Sequence, residues 1–147
     1  MEPQISVHLV QDTDNQDSVR KSVTGRLNQF DLRFAPEATF EPLTMIAITS
    51  DNTTVGGLVG QLCPPWHWVR ITALWVEETH RNQGIGRQLL RAAELEAVRR
   101  RCHSVQLETF SFGARNFYEK LGYGVFGVQE DFPPGHQRFY MSKKLSP

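Results

Sequence analysis

An apolar strand, a turn with two glycines and an amphipathic helix follow one another over residues 69–97, and this unit constrains the fold most strongly. The apolar run ends at Val76, and Gly84 and Gly86 lie where the helix begins. One face of that helix is apolar, with Ile85, Leu89, Leu90, Ala93 and Ala97 at helical spacing. A strand that turns into a helix with one apolar stripe predicts a sheet with a helix packed against it.

The flanking segments extend this pattern into an α/β (α+β) domain. Apolar and β-branched runs predict strands at 5–10, 43–49, 55–62, 69–76, 104–110, 123–128 and 137–145. Helical spacing predicts helices at 18–30 and 85–97 and a short helix at 114–121. A polar turn joins the second and third strands, so we expect them to form a hairpin. The predicted order is therefore β-α-β-β-β-α-β-α-β-β.

Length, charge and cysteine content exclude several classes of protein. A chain of 147 residues suits one domain, which we place at 1–147. Sixteen Lys and Arg balance sixteen Asp and Glu, whereas nucleic-acid binding depends on an excess of cations. Two cysteines are too few for a disulfide scaffold, and the five histidines lack metal-ligand spacing. Because no segment resembles a signal peptide or reaches the ~20 apolar residues of a membrane span, we expect a cytoplasmic protein with no metal, nucleic-acid or membrane partner.

The glycine turn has the chemistry of an anion site. The first N–H groups of a helix have no partner within the helix, and the helix dipole adds positive potential at the same end. Arg81 and Arg87 add two cations beside it. Neither of two common phosphate loops fits: Leu89 replaces the third glycine of the dinucleotide fingerprint, and Arg87 and Gln88 replace the Lys-Ser/Thr of the triphosphate loop. Two glycines alone would favour a purely structural turn.

Two motifs give the turn a more specific interpretation. Arg81-x-x-Gly84-x-Gly86 fits the Arg/Gln-x-x-Gly-x-Gly/Ala signature of the GNAT superfamily of N-acetyltransferases. A second motif resembles that superfamily's next signature: Ala114-x-x-Phe117-Tyr118-x-Lys120-x-Gly122-Tyr123. The resemblance covers nearly the whole chain, although residues 1–40 match only in their predicted elements. It implies a mixed, mostly antiparallel sheet of six to seven strands flanked by helices and splayed between the fourth and fifth predicted strands, 69–76 and 104–110.

The chain departs from the usual GNAT pattern at three positions. Glu78 replaces a common proline, and Asn82 replaces a common glycine in the loop. Asn tolerates positive φ, so we expect the loop to keep its shape. Ser111 lies where many members have an asparagine before the short helix, so we assign no cofactor contact to it.

The resemblance implies that acetyl-coenzyme A binds in the splayed gap as a co-substrate. The pantetheine arm would pair with the backbone of Leu74, Trp75 and Val76, and the pyrophosphate would lie on the N–H groups that follow Arg81. The full set of implied cofactor-binding residues is Leu74, Trp75, Val76, Arg81, Asn82, Gln83, Gly84, Ile85, Gly86, Arg87, Asn116 and Tyr118.

The resemblance also implies candidate catalytic residues. Tyr118 is the candidate proton donor to the departing thiolate, because a phenol is protonated at pH 7. Without the motif, a helix aromatic packed on the sheet would be the preferred explanation. Glu77 and Glu108 are candidates for the base that deprotonates the amine, with Glu77 slightly preferred. For either glutamate taken singly, a solvated charge at a strand end is the better explanation.

The acceptor is the least constrained part of the prediction. A primary amine of a small molecule is our first hypothesis, because no long recognition surface is evident. A non-catalytic acyl-coenzyme A binding module and a protein acetyltransferase are the alternatives. Trp66-His67-Trp68 is compatible with an acceptor pocket or with a cap on the core, and the hairpin at 132–135 is of a kind that borders the acceptor site in this superfamily. The superfamily also makes a homodimer a reasonable expectation.

Overall fold

The computed structural model describes residues 1–146 and contains one six-stranded mixed sheet. The helices are α1 (Thr13–Asp31), α2 (Ile85–Arg99) and α3 (Arg115–Lys120), and the strands are β1 (Glu41–Ile48), β2 (Thr54–Cys63), β3 (Trp68–Val76), β4 (Ser104–Phe110), β5 (Gly124–Glu130) and β6 (Gln137–Lys144). Short 3-10 helices lie at Pro64–Trp66 and Glu78–His80. Contacts divide the chain into two units, 1–37 and 38–147.

The first unit consists of an irregular N-terminal segment and α1. The carboxylate of Asp12 accepts a hydrogen bond from the Asn15 N–H, so the helix begins at Thr13, earlier than the predicted residue 18. The predicted helix at 18–30 is confirmed. The predicted strand at 5–10 is wrong: these residues have no regular structure and nearly all are exposed. An alternating run becomes a strand only when a neighbouring strand pairs with it, and nothing in the local sequence supplies that neighbour.

The sheet in the second unit has the order β1-β2-β3-β4-β6-β5. Every neighbouring pair is antiparallel except β3 and β4, which are parallel. This confirms the mixed, mostly antiparallel sheet, and six strands lie within the expected number. A parallel pair needs a long crossover, and here α2 provides it between β3 and β4. β1 and β2 form the predicted hairpin, with Asn52 in the left-handed conformation at φ 67°.

The core lies between α2 and one face of the sheet. Leu89, Leu90, Ala93 and Ala97 of α2 are buried, as the apolar stripe predicted. They pack with alternating inward residues of the strands, among which Leu58, Leu62, Leu107 and Met141 are almost completely buried. Burying a side chain of this size contributes about 1.5–3 kcal/mol. This packing fixes α2 on the sheet and places its N-terminus beside the C-terminal end of β3.

Candidate active site

The sheet opens between β3 and β4. Their parallel ladder joins residues 68–70 to residues 104–106 and extends no further. In the pairing of β3 with β2, the register shifts at Thr72, whose Oγ1 donates to the Val59 carbonyl at 3.0 Å. A bulge of this kind bends its strand, so the end of β3 diverges from β4 and leaves one backbone edge unpaired with it. A cleft of about 880 Å³ lies at this divergence, and the predicted splay is confirmed.

The loop between β3 and α2 supplies unpaired backbone donors at one end of this cleft. Gly84 is the N-cap of α2 in the left-handed conformation (φ 79°), and it has no side chain to cap the helix. The N–H groups of residues 85–87 therefore have no partner within the helix. Asn82 is also left-handed, at φ 63°, so the asparagine does keep the loop shape that a glycine would allow. The loop therefore presents unpaired N–H donors at the end of the cleft.

Arg81 ties this loop to the end of β3. Its Nε donates to the Val76 carbonyl at 3.0 Å, and its guanidinium lies over the Trp75 ring at 4.4 Å from the centroid. A cation over an indole face adds about 0.5–1 kcal/mol at an exposed site. The side chain therefore holds a positive charge at the mouth of the cleft as well as fixing the loop.

Gly86 lies where two helices pack closely. A Cβ at this position would lie 3.3 Å from Cζ of Phe117, a side chain of α3. The missing Cβ thus lets α3 approach the first turn of α2. Phe117 in turn packs edge-on against Tyr118, with ring centroids 5.1 Å apart. The glycine therefore influences where the tyrosine lies.

Tyr118 lies on α3 and lines the cleft while remaining only 8% exposed. Its ring contacts Tyr123 edge-on, with centroids 5.8 Å apart. Desolvation by burial raises the pKa of Tyr118 above the ordinary value. The phenol is consequently protonated throughout the neutral range, which is the state that a proton donor needs.

Of the two candidate glutamates, Glu108 lines the cleft and Glu77 does not, among the residues described. Both oxygens of Glu108 are engaged: Oε1 accepts from Arg70 Nη2 at 2.9 Å, and Oε2 pairs with Arg138. The ring of Phe132, from the predicted hairpin, lies 5.1 Å from the Arg138 guanidinium. The hairpin at 132–135 therefore borders Glu108 through Arg138.

The cleft brings together most of the residues that the sequence singled out. Those that line it are Leu74, Trp75, Val76, Arg81, Asn82, Gly84, Ile85, Gly86, Arg87, Glu108 and Tyr118. Gln83, Glu77 and Asn116 are exposed and are not among its described lining residues. The backbone N–H of Glu77 instead donates to the Val55 carbonyl at 2.9 Å and extends the pairing of β2 with the chain after β3.

Sequence reasoning missed several residues at this site. Thr109 and Phe112 line the cleft, and Oγ1 of Thr109 accepts from the Ala114 N–H at 3.2 Å at the start of α3. Thr109 lies inside β4, five residues before the N-cap Ala114, so no capping signal in the sequence identifies it. No local signal could have identified Arg70 and Arg138, because they reach Glu108 from other strands.

The Trp66-His67-Trp68 segment lies at the other end of β3. Nδ1 of His67 is 2.8 Å from the Arg101 carbonyl, and the His67 ring stacks on His103 with centroids 5.0 Å apart. None of the three residues is among the described residues that line the cleft. Within residues 1–146, no group of three His, Cys, Asp or Glu side chains is arranged to hold a metal ion, and no helix could span a membrane.

Comparisons with known proteins agree with this geometry. The model of the acetyltransferase (GNAT) family matches residues 11–123. The chain belongs to the GNAT family. Blasticidin-S acetyltransferase of Streptomyces morookaense is 33% identical over 118 residues, which are 78% of this chain and 85% of the relative. An acetyltransferase of Agrobacterium fabrum is 30% identical over 125 residues, which are 85% of this chain and 90% of the relative.

A solved structure agrees with the GNAT fold over almost the whole chain. An acetyltransferase from Bacillus cereus matches with a TM-score of 0.83 and 28% identity, covering 95% of this chain and 98% of its own. This GNAT protein is therefore an acetyl-CoA-dependent N-acetyltransferase. Its cleft fits that donor, because unpaired helix N–H groups and a guanidinium lie at one end and an open strand edge lies along one side.

Proposed function

We propose that this enzyme transfers the acetyl group of acetyl-CoA to the primary amine of a small molecule, by direct attack in a ternary complex. This proposal rests on three features that lie in one cleft. They are the edge of β3 that does not pair with β4, the unpaired N–H groups of the loop before α2, and the hydroxyl group of Tyr118. The Streptomyces relative is named for blasticidin S, which supports a small-molecule acceptor. Residues 1–147 would act as one GNAT domain, since the family model runs from residue 11 into the second unit.

We assign the cofactor contacts to the residues implied by the sequence. The backbone of Leu74–Val76 would pair with the pantetheine arm, because this part of β3 is paired with β2 on one edge and not with β4 on the other. The N–H groups from Asn82 to Arg87 would hold the diphosphate, supported by the helix dipole. Gln83 and Asn116, exposed beside the cleft, remain predicted contacts.

The chemistry requires two proton transfers besides the acyl transfer. The amine nitrogen forms a bond to the thioester carbonyl carbon, and the carbon–sulfur bond breaks. A primary amine with a pKa near 10.4 is mostly charged at pH 7, so exposing its lone pair costs roughly 4–5 kcal/mol and calls for a base. In our assignment the hydroxyl of Tyr118 gives its proton to the departing thiolate and so completes the thiol product.

We assign the base, acting directly or through water, to Glu108 before Glu77, because Glu108 lines the cleft. Arg70 and Arg138 hold its two oxygens in place, which positions the carboxylate for a bound amine or water. Glu108→Gln and Glu77→Gln distinguish the two assignments. The variant that removes the base should lower turnover most at low pH, where a free amine is scarcest, and the other should leave the pH profile unchanged.

An amine-panel assay with acetyl-CoA tests the proposal. Thiol release should accelerate with at least one small primary amine, and mass spectrometry should show the corresponding mono-acetylated product. If no amine accelerates release while proteins of a treated lysate become acetylated, the enzyme is a protein acetyltransferase. If calorimetry shows no binding of coenzyme A at millimolar concentration, the assigned cofactor site is wrong. The cytoplasmic location and the homodimer remain predictions, and light scattering of the purified protein measures the second.

A further inference from the structure

A second pocket, of about 180 Å³, lies next to the diphosphate loop, which is the loop from Asn82 to Arg87 that we propose holds the diphosphate. It lies beside the first turns of α2, and Arg87 lines both this pocket and the main cleft. Arg91 follows Arg87 by one helical turn and so lies on the same face of α2. Lys120, at the end of α3, lines the pocket on its other side. Arg87 is thus the one lining residue that the described cleft and pocket share.

The pocket carries an excess of positive charge. Four cationic side chains line it with one carboxylate, Glu94. That carboxylate is already compensated, because Lys143 Nζ lies 3.0 and 3.1 Å from its two oxygens and the Tyr123 hydroxyl donates to it at 3.0 Å. Arg87, Arg91 and Lys120 have no ion pair within residues 1–146.

The other arginines of the same two helices differ in this respect. Arg99 and Arg100 of α2 both pair with Glu96, and Arg115 of α3 pairs with Glu119. Elsewhere on these helices, arginines thus pair with neighbouring glutamates. At this pocket, Arg87, Arg91 and Lys120 have no such partner within residues 1–146. The three side chains are exposed, so solvent moderates their mutual repulsion, and their combined positive potential favours an anion in the pocket. A dense anion such as a phosphomonoester, which carries close to two charges at pH 7, matches that potential.

We propose that this pocket binds the 3′-phosphate of coenzyme A, with Arg91 and Lys120 as its principal contacts. The inference rests on the proposed diphosphate site at the neighbouring loop. Coenzyme A carries a diphosphate and a separate ribose 3′-phosphate, and Arg87 connects the two sites that these groups would occupy. The enzyme would therefore discriminate coenzyme A from its 3′-dephospho form by charge rather than by the shape of the adenine.

Calorimetry with matched ligands and variants tests the assignment. The wild-type protein should bind coenzyme A about 10- to 100-fold more tightly than 3′-dephospho-coenzyme A, as expected for two or three charge-assisted contacts. Arg91→Gln together with Lys120→Gln should reduce that ratio to about threefold or less, with the affinity for the dephospho form unchanged. Arg99→Gln removes the same charge from the same helix outside the pocket and should preserve the ratio. Thermal melting checks that each variant is folded.

The outcomes separate this proposal from the one on which it rests. Equal affinity of the wild-type protein for the two ligands overturns the 3′-phosphate site while preserving the diphosphate site. An equal loss of both affinities in the double variant also overturns it, since that indicates general attraction by charge. Inorganic phosphate should weaken the binding of coenzyme A more than that of the dephospho form; equal weakening of both overturns the 3′-phosphate site, because phosphate then competes only for the diphosphate loop. If neither ligand binds the wild-type protein, the proposed cofactor site fails as well.

Discussion

Replacing Tyr118 by phenylalanine tests whether its hydroxyl group supplies the proton that the departing thiolate needs. The hydroxyl makes no hydrogen bond that the structure records within residues 1–146, so its removal should change the free energy of unfolding by less than about 1 kcal/mol. Donation from a phenol with a pKa near 10 to a thiolate near 8.5 is uphill by about 2 kcal/mol, and burial raises the pKa of Tyr118 further. Removing a general acid typically costs about 10²- to 10⁴-fold in rate, or roughly 2.7–5.4 kcal/mol of activation free energy.

The assay compares turnover by thiol release with coenzyme A affinity by calorimetry. Tyr118→Phe should lower turnover by about 10²- to 10⁴-fold and leave the affinity for coenzyme A unchanged. Tyr123→Phe is the matched control, because this neighbouring tyrosine is also buried but its hydroxyl donates a hydrogen bond to Glu94 at 3.0 Å. Losing that hydrogen bond should cost about 1.5–3 kcal/mol of stability and leave turnover near normal. Unchanged turnover of Tyr118→Phe at both pH 7 and pH 8.5 would refute the proton-donor assignment.

Three further predictions concern the loop, the helix contact and alkaline pH. Asn82→Gly should retain coenzyme A affinity, whereas Asn82→Val should weaken it, because a β-branched residue resists the φ of 63° seen here; calorimetry compares the two. Gly86→Val should destabilise the fold by about 1–3 kcal/mol in denaturant unfolding, since even a Cβ would lie 3.3 Å from Phe117; a gain in stability would contradict this packing. Burial raises the pKa of both Tyr118 and Tyr123 above about 10, so the unfolded chain ionises first. Their contribution to stability is complete below pH ~10 and falls as pH rises through the folded pKa values; melting of Tyr123→Phe should show a shallower alkaline decline.

The sequence predicted those features that depend on neighbouring residues. The stripe of α2, the strand before it and the glycine loop between them follow from local periodicity and from the backbone freedom of Gly84, and all three are present. The spacing of the two motifs indicated the GNAT family, and the register of the second motif placed Tyr118 in the cleft. The prediction of a strand at 5–10 was wrong because a strand forms only with a partner strand, and its own residues do not specify that partner.

The pairing of charges depends on long-range packing. Arg70, Glu108 and Arg138 come from three strands of the sheet, and Arg91 and Lys120 come from two helices. No periodicity or motif links residues so far apart in the chain; strand order and helix packing bring them together. Short-range propensities thus determined the elements, the loop and the family, while long-range packing determined how Glu108 is held and where positive charge remains unneutralised.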